Sequence, residues 1–144
     1  MGPSSRFPLA VHVLVALSFR PKQFISSDAL SGTCHTNPVV VRRVVASLRR
    51  AGCVVSQPGV AGGVRLARPA GRISLLDVYR ALGAGDVFRM HHPNPACPIG
   101  RRIPDALAAF LPKAEQALER SLAGATVRDV ARKVWPDFFA TKTR

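Results

Sequence analysis

A mainly α-helical fold carrying one small β-hairpin is predicted by three observations on this 144-residue chain. Apolar residues recur at helical spacing in several separate stretches, and a glycine-rich turn divides two short strand-like runs near the middle. A leucine-bearing stripe then runs through the last third.

The first helix is expected from Ser5 to Ser18, where Leu9, Val13, Ala16 and Leu17 share a face. Pro8 is placed in its first turn, where a missing N–H costs little, and Pro21 closes the segment. The apolar run Phe7 to Phe19 is too short for a bilayer, contains His12, and precedes no small-residue cleavage site, so it reads as a helix of a soluble domain. Ser26 can cap a short second helix, with Ile25 stapling onto Leu30 and Gly32 ending it. Asn37-Pro38 starts a third: Asn caps orphan N–H groups, and Pro at the first position gives up a donor that would be unpaired anyway. Val41, Val44, Val45 and Leu48 form its apolar stripe, Arg42, Arg43, Arg49 and Arg50 fall outside it, and Gly52 ends it. Cys53–Gln57, the turn Pro58–Gly63 and Val64–Arg68 read as strand, turn, strand. Two helices joined through Ser31-Gly32-Thr33-Cys34 and followed by a hairpin define a winged helix-turn-helix.

Beyond the wing, Ser74-x-x-Asp77 resembles a capping box and opens a helix through Val78, Tyr79 and Leu82 to Gly83, placed to brace the wing. A Pro- and His-rich loop follows from Gly85 to Gly100. Ile103, Leu107, Leu111, Ala114, Leu118 and Leu122, with Phe110 beside them, then trace the seam of a long amphipathic helix kinked at Pro112. Thr126-x-x-Asp129 starts a last helix, which Pro136 stops after Trp135. The predicted organisation is a winged helix-turn-helix domain at 1–84, a sensor-like loop at 85–101, and dimerisation helices at 102–144.

Charge narrows the partner. There are 21 Lys and Arg against 8 Asp and Glu, a net charge of +13, which favours a polyanion. Residues 1–72 hold ten basic groups and the single acid Asp28, so this half is expected to meet it. A solvated basic surface is the competing reading of any one arginine. Three cysteines at irregular spacing make no secreted disulfide framework and fit a reducing cytoplasm. Nucleotide-binding glycine loops, metal-hydrolase helices and nucleophile elbows do not occur, which disfavours catalysis. Two classes remain: a DNA-binding regulator, and a thiol enzyme or RNA-binding winged-helix protein using the same basic surface.

Arg6-Phe7, Thr36 through Arg43, Gly62-Gly63-Val64-x-Leu66-Ala67-Arg68-Pro69 and Ile73-Ser74-Leu75-x-Asp77-Val78-Tyr79 together resemble the Rrf2 family of bacterial winged-helix transcription regulators. His92-Pro93-x-x-x-Cys97-Pro98-Ile99-Gly100 and the tail from Ala123 to Val130 look like its YwnA-like branch. The resemblance spans nearly the whole chain and implies a cytoplasmic homodimer that binds palindromic operator DNA, commonly as a repressor. Iron–sulfur members carry three cysteines in the loop before the dimer helix. Here only Cys97 lies there, so a three-cysteine cluster is not available and no cofactor is expected. Many members also place an arginine at the wing tip, where this chain has Gln57-Pro58-Gly59-Val60-Ala61.

The expected DNA-contacting residues are Ser26 and Ser27 on the second helix, Thr36, Asn37, Val39, Val40 and Arg43 toward the reading end of the third, and Gln57 in the wing. Arg42, Arg49, Arg50, Arg65 and Arg68 are expected on phosphates. The dimer seam is Ile103, Leu107, Phe110, Leu111, Ala114, Leu118 and Leu122. Cys97 is the sensor candidate: a helix start at Pro98, with Arg101 and Arg102 a turn away, favours thiolate, while spacing alone equally allows an inert packed thiol. Cys34 and Cys53 read as packing residues. His91, His92 and Cys97 have no standard zinc spacing, and no metal site is assigned.

Overall fold

The computed structural model describes residues 3–83 and 87–140, and its core is built on the first helix, α1 (Pro3–Ser18). Leu9, Ala10, Val13, Leu14, Val15 and Leu17 are all buried, more of the circumference than one amphipathic stripe provides, because α1 is covered from several sides. Helices α2 (Ser27–Cys34), α3 (Pro38–Arg50), α4 (Leu75–Ala81) and α7 (Val127–Val134) and strand β2 (Gly63–Leu66) pack against it. The helix begins earlier than its predicted start at Ser5, so Pro8 lies inside it rather than in its first turn.

Ser26 caps α2 as expected, its hydroxyl accepting from the Ala29 N–H at 3.1 Å. The helix passes through Gly32, the predicted end, and stops at His35, whose φ of 49° turns the chain left-handed. That cap sends its N–H to the Gly32 carbonyl, so a terminus is formed without glycine. Asn37 caps α3, accepting from the Val39 N–H at 2.8 Å, with Pro38 in the first turn. Val41, Val44, Val45 and Leu48 are buried as the spacing predicts, and Gly52 adopts φ +74° just beyond the end.

Strand β1 (Val54–Gln57) pairs antiparallel with β2, matching Val54 to Leu66 and Gln57 to Gly63. Ile25, expected as a staple, extends this sheet: its N–H and carbonyl both bond Val64, at 2.9 and 2.8 Å. This close approach explains Gly63, which has φ +147° and whose Cβ, if present, would strike the Ile25 carbonyl.

The Ser74–Asp77 capping box is formed and α4 ends at Leu82 before Gly83, φ +90°. The helix body packs on α1, α3 and α6 (Leu111–Ala123), and an ion pair from Arg68, just past β2, to Asp77 at 3.2 Å ties it to the base of the wing. The predicted boundary at 84 and loop start at Gly85 lie outside the described residues.

The long kinked helix is not formed as predicted. A 3₁₀ turn (Gly100–Arg102) leads into α5 (Ile103–Leu107), the chain turns at 108–110, and α6 follows. Each piece starts with a proline in its first turn, Pro104 and Pro112, so Pro112 begins a helix instead of kinking one. It has no N–H to offer the Ala108 carbonyl, which one continuous helix would require. Thr126 and Asp129 form the capping box of α7. Pro136 ends α7 and also opens a further short helix, α8 (Pro136–Ala140).

Part of 102–144 belongs to the N-terminal core. Val127 and Ala131 are fully buried in the same apolar cluster as α1, and Val127 donates to the Ile73 carbonyl at 2.9 Å. Phe19, at the end of α1, stacks edge-on against Phe138 with ring centroids 4.7 Å apart, and Trp135 lies beside both.

Candidate DNA interface

Helix α3 is buried on its valine–leucine stripe and exposed along Val39, Arg42, Arg43, Arg49 and Arg50. Val39 keeps 47% of its surface open in the first turn, large for an apolar side chain placed beside a cap. Arg42 reaches Asp28 on α2 at 3.4 Å, both groups well exposed, so the one acid of the N-terminal half sits against one recognition-helix arginine. An exposed pair of this kind is weak and a phosphate can replace it. Arg50 donates to the Ser47 hydroxyl at 3.2 Å.

The remaining candidates divide. Asn37 is exposed with its side-chain oxygen engaged in capping, and the Ser26 hydroxyl is engaged likewise. Ser27, Thr36 and Val40 are half-buried. Gln57 is exposed at the end of β1, and the wing tip beyond it presents Val60, fully exposed. Arg65 is exposed on β2 with its guanidinium 4.9 Å from the centre of the Phe24 ring, a cation–π contact that holds the charged head itself over that ring. Arg68 is placed differently from the other expected phosphate contacts: it is half-buried, pairs with Asp77, and lies beside the Cys53 thiol.

One cation absent from the expected set joins the site. Arg6, in the first turn of α1, lines a cleft of about 290 Å³ together with Val40, Arg43 and Val44 of α3. A usable signal was present: Arg6 is the only charged residue of α1, on a helix that has no acid.

The three cysteines lie apart, on α2, just before β1 and in the loop ahead of α5, and among the described residues no cluster of three or more Cys, His, Asp or Glu is placed to hold a metal. Among the described residues the loop before α5 offers one thiol, Cys97, and not the three of a cysteine-held cluster. Burial pushes the Cys34 and Cys53 thiols up, against smaller opposing contributions from Thr33 and Arg68 respectively. Cys97 is lowered by the backbone N–H groups of Gly100 and then Ile99, with Gly100 N–H donating to its Sγ at 3.4 Å. The predicted help from Arg101 and Arg102 is not among the causes: the 3₁₀ turn aims backbone donors at the sulfur, not these side chains.

Along the expected seam, Ile103, Leu107, Leu111, Leu118 and Leu122 are half-buried within one protomer, while Phe110 and Ala114 are exposed. Arg80 of α4 pairs with Glu119 of α6 at 2.9 Å, so α6 is docked on the core by its own chain.

A capped basic helix, a short preceding helix and a paired wing define a winged-helix DNA-binding protein. The Rrf2 family model, described as an iron-dependent transcriptional regulator, matches residues 3–133, and the chain belongs to the Rrf2 family. It is similar to YwnA of Bacillus subtilis (strain 168), described as an HTH-type transcriptional regulator: 39% identical over 129 residues, 88% of this chain and 95% of that protein. A crystal structure described as that of a DNA-binding protein is 36% identical, with a TM-score of 0.69 over 87% of this chain and 97% of that one. The structure of CymR, the global cysteine regulator of B. subtilis, shares the fold at 19% identity, TM-score 0.67, covering 92% and 98%. The protein is therefore a DNA-binding transcription regulator of the Rrf2 type and not an enzyme. No helix among the described residues is long and apolar enough to cross a membrane.

Proposed function

We propose that the protein is a cytoplasmic homodimeric repressor that binds a palindromic operator, with α3 in the major groove and the wing against the flanking backbone. The observation that carries this reading is the division of α3 into a fully packed apolar stripe and an exposed face bearing Val39 and four arginines. Val39 suits a thymine methyl, and Arg49, Arg50 and Arg65 suit phosphates. Arg68 serves the fold, tying the base of the wing to the Ser74–Asp77 cap. Regulation runs through the loop at Cys97, whose thiol is polarised by backbone donors, and not through an iron–sulfur cluster.

Selection from a random duplex pool, followed by anisotropy titration, tests the reading. An inverted repeat with half-sites about one helical turn apart is expected. Recovery of no preferred sequence, or of RNA bound more tightly than duplex DNA, would overturn it.

A further inference from the structure

We propose that Arg6 and Arg43 form a single seat for one DNA backbone phosphate, so that α1 as well as α3 grips the operator. The inference rests on the DNA-binding reading above and names the chemistry of one part of that surface. Arg6 and Arg43 come from helices that pack together and line one cleft, whose other walls are Val40 and Val44. Val40, Arg43 and Val44 are spaced i, i+3 and i+4, so the valines occupy the edge of the buried stripe and Arg43 stands at its rim. Arg6 is half-buried and lines the cleft.

Two like charges sharing one cleft repel. Among the described residues neither guanidinium has an ion-pair partner, and no acid stands in the first turn of α1 or of α3. Arg6 and Val40 also lie in the first turns of their helices, where the backbone dipole adds positive potential. An anion relieves all of these at once, and guanidinium forks match phosphate oxygens in pairs.

The cleft is partly open to solvent, so a phosphate carried on a larger chain can enter it. Its position beside the reading end of α3 favours a backbone phosphate over a free anion. Arg43 is thereby moved from base edges, its expected target, to the phosphate backbone.

The test is anisotropy titration of labelled specific and scrambled duplexes across a potassium chloride series, with native protein, Arg6→Gln, Arg43→Gln, the double variant and Arg6→Lys. Each single Gln variant should weaken both duplexes alike, by roughly tenfold to a hundredfold, as for loss of a charge-assisted hydrogen bond. Each should flatten the log–log salt slope by about 0.9. Because one phosphate is shared, the double variant should flatten it by about one contact, not two. Arg6→Lys, which keeps the charge, should restore the slope. Native binding by Arg6→Gln, a loss confined to the specific duplex for Arg43→Gln, or a double slope reduced by two contacts would overturn the shared seat.

A further arm adds inorganic phosphate at constant ionic strength. If it releases the native protein from DNA and spares the double variant, the cleft is a free-anion site and the inference fails. Native protein that binds neither duplex would instead remove the underlying DNA reading.

Discussion

Three thiols in one chain meet three environments, and reactivity should follow them. Thiolate is the attacking species, so Cys97, lowered by Gly100 and Ile99 N–H groups, holds more of it at neutral pH than Cys34 or Cys53, both raised by burial. Limited iodoacetamide treatment at about pH 7.5, with peptide mapping, is expected to label Cys97 first and Cys53, fully buried, last. Alkylated protein is expected to lose operator affinity, and Cys97→Ser to escape the loss. Labelling of Cys34 or Cys53 ahead of Cys97 would refute the order. The position of this thiol could be read from Pro98 following it, but the polarising groups could not. They are backbone amides brought round by a 3₁₀ turn, whereas residue spacing pointed to the side chains of Arg101 and Arg102.

At the scale of elements, capping chemistry was the most legible signal, because a cap and its N3 partner are local. Ser26, Asn37, Ser74 and Thr126 all cap where sequence places them. Helix ends and breaks were less legible: Gly32 was passed over and His35 took the left-handed turn, while Pro112 and Pro136 proved to be starts. A proline looks the same from sequence whether it interrupts one helix or opens the next, and packing decides. For the interface, α3 could be read from its own periodicity, but the neighbourhood of Arg6 and Arg43 is a contact between helices that no local pattern encodes. The capping box of α7 carries its own pH dependence. Asp129 is lowered by hydrogen bonds from the Thr126 backbone N–H and then its hydroxyl, so its folded value lies below its unfolded one. Its stabilisation is present above the unfolded value of about 3.9 and is lost as pH falls through the folded value. Thermal unfolding should show the native protein losing its advantage over Asp129→Asn below about pH 4. Parallel curves for the two proteins down to about pH 2 would contradict this.

At the scale of the whole molecule, the seam divides its duties. Helix α6 packs on α4 of its own protomer, whereas Phe110, 70% exposed, is free to meet a second copy. A homodimer built there would be broken by Phe110→Glu, since it places an unpaired charge at the contact while leaving the protomer core untouched. Sedimentation should find monomers that bind the operator weakly; a variant that remains dimeric would move the interface elsewhere. The burial of Val127 and Ala131 against α1 has a consequence in time as well as in space. Helix α7 is synthesised long after α1, so at roughly 5–20 residues per second the apolar side of α1 waits on the order of ten seconds for this cover. During that interval the nascent chain carries uncovered core surface and is a natural client for a chaperone that holds apolar segments. A stop codon placed just before Val127 would make the wait permanent, giving a product that keeps every arginine of α1, α3 and the wing and cannot close its core.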